Sequence, residues 1–369
     1  MRKVLIIDNS LDLTGAFKAI LSNACDLKNE FEFHFLIPSQ SKNKSRIEDF
    51  GFKCLQLNII EISKRPKDLL LYIPQLIINS WKVKRYVKKE GISIIHVNDM
   101  YNMVGLTSKI WKKTFVISHV RRMPESFPSM IYKFWVLLHR RFADKIIPVS
   151  RANAAIFGSS GKVEVIYDKL PAKESLPSYS AIERDIVRIL YLANYNRGKG
   201  QEYAIKIAHN LVKNNITNFE MNFYGGDFGM QKNRDFKSSL IKEAKEIALS
   251  DKVIFYDKTE HAEQVMKDHD LVLNLSDSES FSNVSLEALY YGVPLIATNV
   301  GGTSEMFDDK TSGLLIERGN VEEMYQVLKE LINSFPLRNQ LSIESKKIVR
   351  NRFGIENTSF KLRDIYNGF

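Results

Sequence analysis

Cysteine is almost missing from this 369-residue chain, which has two, Cys25 and Cys54. Two thiols argue against a disulfide framework and fit a reducing compartment. A long apolar run is missing too. The longest, Leu69 to Ile78, is interrupted by Pro74 and Gln75 and is too short to span a bilayer. No secretory signal is visible, because Met1-Arg2-Lys3 leads into Val4-Leu5-Ile6-Ile7-Asp8, which reads as a first strand. No Gly-x-Gly-x-x-Gly follows that strand, which argues against a nicotinamide dehydrogenase. Low-complexity segments are absent, and no repeat shows beyond a two-fold alternation of strands and helices.

The residues present are those of a globular protein, 44% hydrophobic and 26% charged. The length is too great for one ordinary domain and suits two. Charge is uneven. Residues 1–175 carry 29 Lys and Arg against 16 Asp and Glu, and residues 176–369 carry 24 against 27. A basic first half suits an anionic membrane surface or a phosphorylated acceptor. Nucleic acid is not expected, since no recognised binding motif is present.

Apolar runs alternate with helical periodicity along the first half. Val4–Ile7, Glu32–Ile37, Cys54–Leu57, Ile92–Val97, Phe115–His119 and Lys145–Val149 read as strands. Phe17–Leu27 reads as a helix, and Leu69–Lys89 as one or two. Residues 169–184, with Pro171 and Pro177, read as a linker. Strands resume at Arg188–Ala193, Met221–Tyr224, Val253–Tyr256, Leu271–Leu275 and Pro294–Thr298. Such alternation predicts parallel, doubly wound sheets.

The most informative stretch follows Leu271–Leu275. Ser276-Asp277-Ser278-Glu279-Ser280-Phe281 reads as a loop at the strand's carboxyl end. A helix then begins, capped by Ser282 or Asn283, with Val284, Leu286, Ala288 and Leu289 as its apolar face. Gly292 and Pro294 end it. Glu279 thus lies in the loop and Glu287 on the first full turn. The intervening amides point out of a helix N-terminus, where a phosphate binds well.

This pair resembles the glutamate pair of glycosyltransferase family 4, the retaining nucleotide-sugar transferases of GT-B fold. The likeness continues through Gly292-Val293-Pro294-Leu295-Ile296-Ala297-Thr298, the Gly301-Gly302-Thr303-Ser304-Glu305 turn and Ser312-Gly313-Leu314-Leu315-Ile316. It implies two Rossmann-like domains facing across a cleft. Residues 1–170 would bind the acceptor and 185–350 the nucleotide sugar, and a C-terminal helix within 351–369 would cross back to the first domain.

The resemblance also implies roles. Arg197-Gly198-Lys199-Gly200 looks like the family's Lys-Gly turn, so Lys199 is the expected diphosphate ligand. The family's usual Arg five positions earlier is Asn194 here. Either Arg197 substitutes from another point on the loop, or Asn194 gives a neutral hydrogen bond. Amides of Ser282, Asn283 and Val284 add charge stabilisation. Glu287 accepts from the ribose hydroxyls, and Glu279, with Ser280 and Phe281 beside it, lies near the sugar ring. Thr259 meets the base through its backbone, and Gly225-Gly226 lets the chain pass close to the nucleoside.

In the first domain, His119 resembles the family's strand-terminal His at the sugar's face. Arg121 and Arg122 are the expected contacts to an acidic acceptor. Gly15 occupies the first strand–helix loop, where the family usually has paired glycines. His96 and Asp99 resemble another family strand end, with a structural role expected. No ordered Asp-x-Asp element appears where a GT-A enzyme would bind a divalent ion, and no metal or cofactor is expected, the co-substrate being a nucleotide sugar with a UDP-sugar favoured. Asp227 and Asp277 read as loop caps.

The implied activity is retaining sugar transfer to a glycan or glycolipid acceptor in cell-surface glycan assembly. The implied location is cytoplasmic, at the inner face of the membrane. The alternatives are a non-catalytic GT-B partner of another transferase and a GT-B sugar-nucleotide epimerase.

Overall fold

The computed structural model describes residues 1–60, 66–110, 114–169 and 181–368. Most of the expected linker, with Pro171 and Pro177, lies outside the described residues, as does Phe369. The chain divides into two compact units, Met1–Ala172 with Ile355–Phe369, and Lys173–Gly354.

The first unit runs β1 (Arg2–Ile7), α1 (Gly15–Leu27), β2 (Phe31–Pro38), α2 (Lys44–Asp49), β3 (Lys53–Leu57) and α3 (Pro66–Glu90). It continues with β4 (Ile94–Val97), β5 (Phe115–Val120), α4 (Ser129–Phe142), β6 (Lys145–Pro148) and the single turn α5 (Arg151–Ala154). Its six strands are parallel in the order β3-β2-β1-β4-β5-β6. Both sheet faces are buried, which is why the strands read as continuous apolar runs. Val4 and Ile6 pack on one face with Phe17 and Ile20 of α1. Leu5 and Ile7 pack on the other with Val83 and Val87 of α3 and Trp135 of α4. Leu69–Lys89 proves to lie in one helix, with Pro74 inside it.

The second unit runs β7 (Val187–Leu192), α6 (Gln201–Lys213), β8 (Phe219–Tyr224), α7 (Gln231–Glu246), β9 (Val253–Tyr256) and α8 (Ala262–Lys267). Then come β10 (Leu271–Asn274), α9 (Asn283–Tyr291), β11 (Leu295–Thr298), β12 (Leu314–Ile316), α10 (Val321–Asn333) and α11 (Phe335–Phe353). Its strands are again parallel, in the order β12-β11-β10-β7-β8-β9. The strand order reverses between β7 and β10. In open α/β sheets that reversal leaves a crevice at the strands' carboxyl ends, where ligands bind. The loops carrying Lys199 and Glu279 leave from those two strands.

The last helix, α12 (Ser359–Asn367), belongs to the first unit. Leu362, Ile365 and Tyr366 join the cluster formed by α1 and the aromatic rings of β2.

Candidate active site

Lys199 and Glu279 meet. Lys199 Nζ lies 2.6 Å from Glu279 Oε1, and Ser276 Oγ donates to the same oxygen at 2.8 Å. Their loops are fastened by backbone. The Asp277 amide donates to the Gly198 carbonyl at 2.8 Å. The buried Tyr191 hydroxyl donates to the Lys199 carbonyl and accepts from the Leu275 amide. Gly200 has φ +80°, and a Cβ there would stand 2.0 Å from the Leu275 carbonyl oxygen. Only glycine permits that approach. Gly200 caps α6, so the Lys-Gly turn is the N-terminus of a helix pressed against the Glu279 loop.

A polar network lies beneath Glu279. Asn274, ending β10, donates to Ser282 Oγ at 3.0 Å and Ser285 Oγ at 2.8 Å. Ser276 Oγ lies 2.9 Å from Asn274 Oδ1. The Thr298 hydroxyl donates to the Ser276 carbonyl at 2.5 Å. The Gly302 amide donates to the Glu279 carbonyl at 2.9 Å, which ties the Gly-Gly turn to the same loop. Asn274, Ser276, Ser285 and Thr298 escaped the sequence reading. The signal was there: Asn274 and Ser276 are polar residues closing an otherwise apolar strand.

Ser282 is the N-cap of α9, its hydroxyl accepting from the Ser285 amide at 3.2 Å. Asn283 and Val284 are the first two helical residues, and their amides have no intrahelical acceptor by helix geometry. Glu287 is the fifth helical residue and half-buried. It therefore stands on the second turn rather than the first full turn. Phe281 is buried against Phe353 of α11, ring centroids 5.5 Å apart. It packs the loop down, with Ser280 half-exposed beside it.

The other donor candidates make contacts within the second unit. Arg197 is 76% exposed, 3.6 Å from Glu202 and stacked over the Phe236 ring. It does not join Lys199 as a second cation on Glu279. Asn194 Oδ1 accepts from the Gly226 amide at 3.0 Å, so its oxygen fixes the Gly225-Gly226 loop. A Cβ on Gly225 would stand 2.0 Å from the Ala193 carbonyl oxygen. The glycine is thus required by the neighbouring strand end, a reason within the fold itself. The Thr259 hydroxyl accepts from the His261 amide at 3.0 Å, a local turn. Asp227 accepts from the Gly229 amide two residues on and caps its own loop, whereas Asp277 accepts from the Tyr203 hydroxyl of α6 and ties its loop to that helix.

In the first unit, Gly15 is the first residue of α1, capped by the Thr14 hydroxyl at 3.2 Å from the Phe17 amide. His119 sits near the end of β5, 1% exposed. Its Nδ1 is 3.1 Å from His96 Nε2, and His96 Nδ1 is 2.7 Å from the Tyr366 hydroxyl. Burial, then the charge of Arg121, pushes His96 down to about 3. Burial first and Arg121 and His96 next hold His119 well below the ordinary imidazole value. Both rings are neutral at pH 7.

Arg121 does not offer itself to an acceptor as the sequence suggested. It is buried, with Nη1 2.6 Å from Asp168 and Nε 2.6 Å from Asn98 Oδ1. Asn98 in turn donates to Asp8 at 2.5 Å. Arg121 therefore clamps the ends of β1, β4 and β5 together. Arg122 is half-exposed, 3.5 Å from Asp99 and over the rings of Tyr101 and Phe127. Burial raises Asp99 to about 6 against the opposing charge of Arg122.

Two doubly wound, six-stranded parallel sheets with this loop arrangement define the GT-B fold. Solved structures agree. HepE of Anabaena, in complex with UDP and glucose, superposes with a TM-score of 0.83 at 18% identity, over 100% of both chains. Residues 174–348 match the family described as glycosyl transferases group 1. A Campylobacter jejuni relative is 25% identical over 362 residues, covering 94% of each chain. Its name is N-acetylgalactosamine-N,N'-diacetylbacillosaminyl-diphospho-undecaprenol 4-alpha-N-acetylgalactosaminyltransferase. The Escherichia coli O-antigen biosynthesis glycosyltransferase WclY is 24% identical, over 99% of this chain and 98% of its own. Fold, family match and relatives together support a GT-B glycosyltransferase.

Proposed function

We propose that the chain is a retaining glycosyltransferase of the family 4 kind. It moves a sugar from a nucleoside-diphosphate donor, a UDP-sugar first, to a lipid-linked or polysaccharide glycan acceptor in cell-surface glycan assembly. The observation that carries this reading is the Lys199–Glu279 pair beside the N-terminus of α9. A cation, a carboxylate and outward amides are gathered at one strand-order reversal, as a diphosphate-linked sugar requires. Support for a uridine donor comes from HepE, whose structures hold UDP, UDP with glucose, and UDP-glucose. Support for a lipid-linked acceptor comes from the Campylobacter jejuni relative, whose name places its acceptor on diphospho-undecaprenol. The partner-protein and epimerase readings are not favoured, because these relatives are named transferases.

Charge grows on the diphosphate as the glycosidic bond breaks. Lys199 Nζ and the amides of Ser282, Asn283 and Val284 meet that charge. Glu287 accepts from the ribose diol. Glu279, held by Ser276 and Lys199, favours positive charge at the anomeric carbon. The leaving phosphate oxygen takes the acceptor's proton on the same face, so no separate carboxylate base is needed.

Nucleotide sugars screened for protection against thermal unfolding test this, because a ligand that binds only the folded state raises stability. A UDP-sugar is expected to raise the midpoint and to be consumed when a glycan acceptor is added. Protection by no nucleotide sugar would sink the reading.

A further inference from the structure

The C-terminal helix reaches the chemistry of the first unit through hydrogen bonds. Tyr366 of α12 is wholly buried, with its ring 5.2 Å from that of Phe31 and 6.1 Å from that of Phe33. Its hydroxyl lies 2.7 Å from His96 Nδ1, and His96 Nε2 lies 3.1 Å from His119 Nδ1. His119 Nε2 is buried and has no partner among the described residues. The three side chains form a line whose last atom is left unpaired.

Only two arrangements of hydrogens fit two neutral imidazoles in this line. In the first, the Tyr366 hydroxyl donates to His96 Nδ1, His96 Nε2–H donates to His119 Nδ1, and His119 carries its hydrogen on Nε2. In the second, every bond is reversed. His119 Nδ1–H donates to His96, and His96 Nδ1–H donates to the Tyr366 oxygen. The second leaves the Tyr366 hydroxyl hydrogen without an acceptor, since His96 is the hydroxyl's only hydrogen-bond partner among the described residues. Each arrangement leaves one buried donor without an acceptor among the described residues, His119 Nε2–H in the first and the Tyr366 hydroxyl in the second, but the second also leaves His119 Nε2 as an unpaired buried acceptor, so the first arrangement wins.

We infer that Tyr366 is a positioning residue, which acts through His96 to fix His119 as an Nε2–H hydrogen-bond donor. The Nε2–H is therefore a donor in search of an oxygen acceptor, such as a sugar hydroxyl or a phosphate oxygen, and His119 does not serve as a base. A nearby cation agrees with this polarity, because the Arg121 charge acts on both imidazoles. A buried N–H beside a cation suits an electron-rich ligand atom. The inference rests on the transferase reading for the identity of that ligand, and on the structure alone for the tautomer.

Nitrogen-15 spectra of the full chain labelled in its histidine rings test both parts separately. His96→Gln and His119→Gln assign the two signals. The wild-type spectrum is expected to show His119 with its hydrogen on Nε2. In Tyr366→Phe, which keeps the ring packing and removes only the hydroxyl, His119 is expected to become a mixture of tautomers. Turnover of a UDP-sugar should fall about tenfold, roughly the free energy of one hydrogen bond, with donor KM little changed. A wild-type His119 protonated on Nδ1 overturns the inference. So does a Tyr366→Phe protein with unchanged tautomer or unchanged turnover. A wild type that turns over no nucleotide sugar yet shows the Nε2–H tautomer sinks the transferase reading and leaves the tautomer assignment standing.

Discussion

Lys199 and Glu279, eighty residues apart in sequence, form a 2.6 Å ion pair between the loops that follow β7 and β10. The cation proposed for the diphosphate thus rests on the carboxylate proposed for the sugar. A bound donor has to share or replace that contact, so the lysine is held in place before the donor arrives. Preorganised charge of this kind lowers a barrier more than it tightens binding.

Lys199→Ala is therefore expected to lower kcat by roughly 10²–10³-fold, the usual loss for one preorganised donor. Donor affinity should fall far less. Lys199→Arg should restore part of the activity, since its charge remains while its fork fits the pocket differently. Steady-state kinetics with calorimetry of donor binding separate the two effects. A kcat near wild type would remove Lys199 from the leaving group.

Glu287 is a test of nucleoside binding. Its place one turn inside α9, half-buried, suits a carboxylate that accepts from a ribose diol. Losing a charged acceptor costs roughly 1.5–3 kcal/mol, so Glu287→Ala should raise donor KM about tenfold or more. Folding should be intact, as judged by the thermal midpoint without ligand. Unchanged donor affinity in calorimetry would place Glu287 outside the site.

The strands of both sheets were legible because burial on two faces makes continuous apolar runs such as Val4–Ile7 and Leu271–Asn274. The cap of α9 was legible to within one residue, Ser282 or Asn283, because small polar residues precede a periodic helix, and it is Ser282. Helix α4 was not legible. It buries Tyr132, Trp135 and Val136 at helical spacing, but Met130, Phe134 and Leu137 are apolar and exposed, so apolar residues on other faces blur the buried stripe. The partners of the site residues were least legible. Nothing near Arg121 in sequence announces Asp168 or Asn98, and nothing near Asn194 announces Gly226. Such pairings depend on which strand ends meet in space.

Charge stabilisation from Lys199 and the amides of α9 makes a divalent ion unnecessary in the proposed reaction. Turnover is expected to continue in excess EDTA and to gain little from added Mg²⁺ or Mn²⁺. Loss of activity in EDTA, restored by either ion, would contradict this.

Acid should destabilise the protein before its carboxylates titrate generally. Burial lowers His96 to about 3, His139 to about 4, and His119 well below the ordinary value. A histidine whose folded pKa is depressed binds more protons when unfolded. Its contribution is fully present above about 6.5 and is lost as pH falls toward the folded value. Asp99, raised to about 6 by burial, works the other way and gains stability as pH falls through 6. Three histidines against one aspartate leave a net loss, at up to about 1.4 kcal/mol per pH unit for each histidine. Urea unfolding at about pH 7 and about pH 5 should show the lower midpoint at pH 5. Equal midpoints would mean that these imidazoles are solvated.

The last prediction concerns attachment to a membrane. No described helix is long and apolar enough to cross one. Helix α3 instead carries large apolar side chains outward, with Leu70 78%, Ile77 64% and Trp81 55% exposed. Its C-terminal half buries Val83 and Val87 and exposes Lys82, Lys84, Arg85, Lys88 and Lys89. Arg85 lies over the Trp81 ring at 4.6 Å, a pairing of cation and aromatic that suits a lipid headgroup region. On the same side of the sheet, α4 exposes Met130, Phe134 and Leu137. Apolar surface beside clustered basic residues is the pattern of a peripheral contact with anionic lipid. Co-sedimentation with vesicles is expected to need anionic lipid and to fall as salt rises. It should weaken when Lys84, Arg85, Lys88 and Lys89 become Ser, and also when Leu70, Ile77 and Trp81 do. The first set should lose its effect at high salt and the second should keep it, because only the charged contacts are screened. Equal recovery with neutral and anionic vesicles, or none at low salt, would leave the basic face merely solvated.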